Sequence, residues 1–158
     1  MSDVKFSYTE PRSDRKHYVF EQDVKVVLSR LPEEVYSRLR MVHFNDRSWG
    51  VRTLGYTSRR GRREVAICAL PPRVSLTRFL VKGQSPAAFG AKHGRQWPEL
   101  AVRRFLLYDV LLHEIGHLQI INPENRDFLG LGFMGKFSPC ALISDFSVQP
   151  PCTLCLCG

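Results

Sequence analysis

Apolar residues recur at helical spacing over residues 98–121, and this is the most regular pattern in the chain. Its members stand three or four positions apart: Val102, Phe105, Tyr108, Leu112, Ile115 and Leu118. Additional apolar residues widen this face, which indicates a helix that is largely buried. Pro98 suits a first helical turn, and Pro123 would end the helix because proline cannot continue the hydrogen-bond ladder. The pattern predicts one long buried helix.

Two strand-like segments precede this helix. Residues 53–56 and 64–70 are rich in apolar residues, and they flank the arginine-rich run at residues 59–63. The arrangement predicts an antiparallel pair of strands with the basic run at the hairpin tip. Residues 73–97, which contain several glycines and prolines, predict a turn of helix followed by a connecting loop.

The beginning of the chain has less regular patterns. Residues 1–17 are polar and charged, and they predict an N-terminal arm. The apolar run at residues 24–28 is too short to distinguish a strand from the end of a helix. Residues 32–42 begin with proline and two glutamates and carry apolar residues at spacings of four and three, which predicts an amphipathic helix.

Composition restricts the class of protein. A chain of 158 residues with 44% apolar residues fits one globular domain. It contains no run of about 18 apolar residues and no apolar segment of a secretory signal, so we expect a cytoplasmic protein with no membrane partner. The net charge of +8 suits a soluble basic surface, an acidic substrate or nucleic acid. Nucleic acid stays an alternative partner, although no aromatic residues interleave with the basic tip to stack on bases.

The candidate catalytic and metal-binding residues lie in the run His113-Glu114-Ile115-Gly116-His117, an HExxH motif near the end of the long predicted helix. Histidines at positions i and i+4 lie on one helix face, so both imidazoles can bind one zinc ion. Glu114 is about 100° round the helix from His113, where it can take a proton from water on the metal. The alternative, two surface histidines, is disfavoured by the apolar flanking residues. We therefore predict zinc on His113 and His117, with Glu114 as the catalytic base.

Two neighbours of the motif leave their roles open. Asp109 lies one turn before His113, so its carboxylate either orients the imidazole or faces solvent. Gly116 costs about 1 kcal/mol relative to alanine inside a helix. A residue without a side chain would allow another segment to approach the metal closely.

The motif and its flanking leucines resemble the active-site helix of zincin metallopeptidases, particularly the small HExGH-type domains. The resemblance covers residues 98–121 by motif and residues 32–121 loosely by element order. It implies an α+β fold in which a small antiparallel sheet packs on a long active-site helix. It also implies Zn²⁺ as cofactor and an edge strand that holds an extended peptide or protein substrate. The expected function is a zinc-dependent peptidase; the alternatives are a DNA-associated HExxH protein and a non-catalytic binding protein on a zincin scaffold.

The third zinc ligand is not apparent in the sequence. A catalytic zinc site normally has three protein ligands and a water molecule. The metzincin extension is excluded because Ile120 and Pro123 stand where it needs glycine and histidine. The acidic residues that follow the motif are Glu124, Asp127 and Asp145, and no predicted helix carries them. Loss of the third ligand would leave the chain inactive.

Residues 127–158 differ in composition from the rest of the chain, with one basic residue, two acidic residues and four of the five cysteines. We hypothesise that a frame shift or an unspliced intron replaced the native C-terminal helix near residue 127. The alternative is a divergent tail in which Cys140 or Asp145 completes the zinc site. The predicted organisation is an arm at residues 1–17, a zincin-like domain at 18–126 and a poorly ordered tail at 127–158. Cys68, in an apolar strand, is expected to be buried.

Overall fold

The fold is known from a computed structural model that describes residues 4–58 and 63–120. Its strands are β1 Lys5–Tyr8, β2 Met41–Asn45, β3 Gly55–Thr57 and β4 Glu64–Cys68. Its helices are α1 Glu21–Leu28, α2 Glu33–Tyr36, α3 Glu99–Phe105 and α4 Leu112–Ile120, with a π-helical segment, Leu106–Leu111, between the last two. Short 3-10 helices occupy Thr77–Phe79 and Pro86–Phe89. The predicted α+β class, with a small sheet and one long helix, is confirmed.

The strands form one mixed sheet in the order β1-β2-β4-β3. β3 and β4 pair antiparallel, as predicted, but β1, β2 and β4 run parallel. The prediction of an antiparallel sheet is therefore wrong outside the β3–β4 pair. The physical reason is the connection between β1 and β2, which contains α1 and α2; a crossover of this length lets the second strand run parallel to the first.

Two predictions near the N-terminus are corrected by the same sheet. The predicted polar arm contains β1, whose residues pair with β2 from Lys5 opposite Met41 to Tyr8 opposite Phe44. The helix predicted over residues 32–42 is wrong beyond Tyr36, because β2 begins at Met41. β2 lies between two strands and receives main-chain hydrogen bonds on both sides, which outweighs a helical pattern in the sequence. The undecided run at residues 24–28 is the end of α1.

The core lies between one face of the sheet and the long helical run. Val42, Phe44, Val65 and Ile67 are buried on the sheet side. The helical run buries Phe105, Leu106, Leu111, Ile115 and Leu118 against it. Full burial of each such side chain contributes about 1.5–3 kcal/mol. The predicted buried helix is confirmed. Because one face of this helix packs in the core, the packing determines how the side chains of the HExxH motif are oriented.

The polar residue that interrupts the apolar face of the helix has a structural role. The side-chain amide of Gln119 donates a hydrogen bond of 2.7 Å to the main-chain carbonyl of Val35 in α2. Val35 is half-buried, and the carbonyl groups in the last turn of a helix have no hydrogen-bond donor within the helix, so the amide of Gln119 supplies one. Gln119 therefore attaches α2 to α4 two residues beyond His117.

Several predicted features lie outside the described residues. They are the tip of the arginine-rich hairpin at 59–62, the end of the helix at Pro123 and the whole tail at 127–158. Within the described residues, no helix is long and apolar enough to cross a membrane. Cys68 is 1% exposed, as predicted, and burial is the main cause that raises the pKa of its thiol to about 12.

Candidate metal centre

The two motif histidines converge on one point at the surface of α4. The Nε2 atoms of His113 and His117 are 2.9 Å apart, and the rings meet edge to face with their centroids 4.5 Å apart. His113 is exposed and His117 is half-buried, so this point is accessible to solvent. The predicted one-turn separation on a single helix face is confirmed.

The histidine pair fits a zinc ion. Imidazole nitrogens bound at 2.0–2.1 Å in a tetrahedron stand about 3.3 Å from each other. The observed 2.9 Å is slightly shorter, and a small rotation of either ring supplies the difference. One ligand atom from each of His113, Glu114 and His117 lies within 4.8 Å of the others. In the described residues this is the one group of three or more His, Cys, Asp or Glu side chains close enough to share an ion.

Glu114 is held from the side by the edge strand. The hydroxyl of Thr57 in β3 lies 2.8 Å from Oε2 of Glu114 and 2.9 Å from the main-chain carbonyl oxygen of the same residue. Glu114 is half-buried, so its carboxylate is neither fully solvated nor enclosed in the core. A carboxylate anchored through one oxygen keeps the other available to a water molecule beside the histidines.

Gly55 allows β3 to approach the helix this closely. A Cβ atom at this position would lie 2.7 Å from Cγ1 of Val110 and 2.8 Å from the carbonyl oxygen of Ala66. It would also lie 3.6 Å from Cγ of Glu114. No larger residue fits without moving the strand, because one of the two close contacts is main chain of the neighbouring strand. Gly55 and Thr57 share the helix-facing side of β3, since strand residues alternate between faces.

Asp109 has a partner that neither sequence interpretation considered. Its Oδ1 accepts a hydrogen bond of 2.6 Å from the side-chain amide of Gln84. Burial raises the pKa of Asp109, while the Gln84 hydrogen bond and the charge of His113 act in the opposite direction. Asp109 lies in the π-helical segment directly before the motif, a rare geometry that is frequent at functional sites. Within the described residues its side-chain hydrogen bond is to Gln84, and His113 acts on it through charge.

Gly116 lies in the motif helix with open space beside it in the described part of the chain. A Cβ atom built on it meets no described atom within 4 Å, and its backbone is ordinary helix. No described segment therefore uses the space that this glycine leaves.

Thr57 and Gly55 are two site residues that were not predicted from the sequence. A single glycine inside a strand pattern is a known sign of close backbone approach, so Gly55 could have been found from the sequence. Thr57 could not, because it is 57 residues from Glu114 and no local pattern links them. The downstream candidates for a third zinc ligand, Glu124, Asp127, Cys140 and Asp145, lie outside the described residues.

Comparison with known proteins adds no family to this picture. No family model, no curated protein and no solved structure matches the chain. The geometry of the site and the chemistry of its residues are therefore the basis for inferring function.

Proposed function

We propose that the chain is a zinc-dependent peptidase in which His113 and His117 bind the metal and Glu114 is the general base. The observation that carries the proposal is the convergence of two Nε2 atoms, 2.9 Å apart, beside a carboxylate on the same helix. Imidazole is a preferred ligand of zinc, and a helix fixes both ligands without ordering a loop. A third protein ligand would come from residues beyond 120.

The residues of the site divide the reaction between them. The two imidazoles hold zinc, which when bound supplies Lewis-acid activation of water and of the scissile carbonyl. Glu114 accepts a proton from the attacking water and delivers it to the leaving nitrogen. β3 lies at the edge of the sheet and against α4, where an extended peptide can add as a further strand. In this proposal, the carboxylate that activates water and the strand edge that binds the peptide lie next to each other.

Glu114→Gln tests the proposal most simply. Glutamine keeps the shape and still accepts a hydrogen bond from Thr57, but it cannot take a proton. We expect peptide hydrolysis by the zinc-loaded full chain to fall about 10²–10⁴-fold, the usual contribution of general acid–base catalysis. Zinc content measured by elemental analysis should stay near one per chain. Glu10→Gln, an exposed carboxylate remote from the motif in sequence, is the matched control and should leave the rate unchanged.

The same assay distinguishes the proposal from its competitors. Hydrolysis by Glu114→Gln at the wild-type rate, or absence of zinc from the wild type, would remove the peptidase proposal. Zinc binding without turnover of any peptide would favour a non-catalytic protein on this scaffold. Substitution of Glu124, Asp127, Cys140 and Asp145 one at a time identifies the third ligand, because its loss should weaken zinc binding about 10–100-fold or more.

A second candidate is an HExxH protein that acts on or near DNA. The observation in its favour is the net charge of +8, which attracts phosphate groups. Such a protein should bind duplex DNA with an affinity that falls steeply as salt rises. Binding that does not depend on salt, or no binding at low salt, would remove this candidate.

A further inference from the structure

We infer that Thr57 is a positioning residue that holds the carboxylate of Glu114 in its working orientation; the inference rests on the proposed function. Its hydroxyl oxygen lies 2.8 Å from Oε2 and 2.9 Å from the main-chain oxygen of Glu114. The hydroxyl has one proton, and the shorter of the two contacts is the one to the carboxylate oxygen. Among residues 4–58 and 63–120, Thr57 donates the hydrogen bond to this carboxylate.

A glutamate on a helix needs such a restraint to act as a base. Its side chain has three rotatable bonds, and a half-exposed carboxylate would otherwise sample several rotamers. The Thr57 hydroxyl donates to Oε2, and a hydrogen bond to an ionised acceptor is stronger than one between neutral groups. Oε1 then faces a fixed direction. A base that is held near its reaction geometry loses less rate to misorientation than a mobile one.

The position of Thr57 is itself fixed by the sheet. Thr57 pairs with Val65 in β4, so its main chain cannot move independently of the sheet. Gly55, on the same face of β3, allows the strand to pack directly on Val110 and Glu114. The sheet therefore restrains the position of the Thr57 hydroxyl, and this hydroxyl restrains the carboxylate of Glu114.

The test compares two substitutions that remove the hydroxyl with one that keeps it. Thr57→Val preserves shape and β-branching, and Thr57→Ala is the second variant if the added methyl group disturbs folding. We expect kcat for peptide hydrolysis by the zinc-loaded full chain to fall about 10–100-fold in both variants. KM and zinc affinity should stay within about twofold, since the substitutions leave the main chain of β3, to which a peptide would pair, and both imidazoles unchanged. Thr57→Ser should recover most of kcat, and Thr9→Val, at an exposed threonine, should match the wild type.

A second readout needs no activity. In zinc-free protein, Thr57→Val and Glu114→Ala form a double-mutant cycle in urea unfolding. The hydrogen bond predicts a coupling of about tenfold in the equilibrium constant for unfolding. This value is at the low end of the range for hydrogen bonds to charged groups, because both side chains are half-exposed.

The outcomes separate this inference from the proposed function. Wild-type kcat in Thr57→Val and Thr57→Ala, failure of serine to restore kcat, or coupling below about twofold would overturn the positioning role. An inactive wild type, or full activity in Glu114→Gln, would instead overturn the peptidase proposal. In that case the double-mutant cycle still tests whether Thr57 binds Glu114. Strong coupling would support the hydrogen bond, and weak coupling would contradict it.

Discussion

Replacement of Gly55 by alanine tests the close packing of β3 on the helix. The added Cβ would stand 2.7 Å from Cγ1 of Val110, whereas carbon atoms in contact prefer about 3.5–4.0 Å. It would also stand 2.8 Å from the carbonyl oxygen of Ala66, which belongs to β4 and is fixed by sheet pairing. Relief requires β3 and the helix to separate by about 1 Å.

The energetic cost follows from that displacement. Overpacking a well-filled interior costs about 1–3 kcal/mol, and the upper half of this range applies because a main-chain atom is one of the two obstacles. For a domain of this size, that cost lowers Tm by about 4–12 °C. The same displacement stretches the hydrogen bond of 2.8 Å from Thr57 to Glu114 beyond bonding distance. We therefore expect lower stability and slower peptide hydrolysis together.

Thermal unfolding of zinc-free protein, followed by circular dichroism, measures the effect. Gly116→Ala is the matched control, because its Cβ meets no described atom within 4 Å and its backbone is helical. Alanine there should raise stability by about 0.5–1 kcal/mol. A Gly55→Ala variant with the Tm and hydrolysis rate of the wild type would refute the packing argument.

Three further substitutions or treatments test separate parts of the structure. Gln119→Leu should lower the free energy of unfolding by about 1 kcal/mol, measured in urea, because the Val35 carbonyl loses its donor; an unchanged value would contradict the contact. Burial raises the pKa of Asp109, so ionisation of its carboxyl group lowers the stability of the folded protein as pH rises above about 4. Asp109→Asn should therefore lose less stability than the wild type between pH 4 and pH 7, and an identical pH profile would count against this. Cys68, with a pKa raised to about 12, should resist iodoacetamide in native protein and react in urea, as judged by peptide mapping; rapid native labelling would disprove its burial.

The long helix and the β3–β4 pair could be predicted because the residue patterns that indicate them are close together in the sequence. The stripe from Val102 to Leu118 repeats at helical spacing over 17 residues, and the predicted hairpin strands flank a short basic run. The spacing of His113 and His117 likewise determines their geometry, once the helix is given. Each of these features depends on residues within about 20 positions of one another.

The parallel part of the sheet could not be predicted in this way. β1 pairs with β2 across more than 30 residues, and β2 enters between β1 and β4 instead of extending a hairpin. The pattern that ends at Val42 fits a helix as well as a strand, and only pairing on both edges decides between them. The contact between Thr57 and Glu114 is equally non-local, so the restraint on the base appears only when the sheet and the helix are placed together.

Zinc K-edge X-ray absorption of the full chain loaded with one equivalent of zinc tests the central claim most directly. The account predicts two imidazole nitrogens at about 2.0–2.1 Å, with loss of one imidazole contribution in His117→Ala. Cysteines lie in the same chain, so sulfur ligands are a real competitor. A spectrum that fits sulfur alone at about 2.3 Å, with no imidazole scattering, would contradict the account.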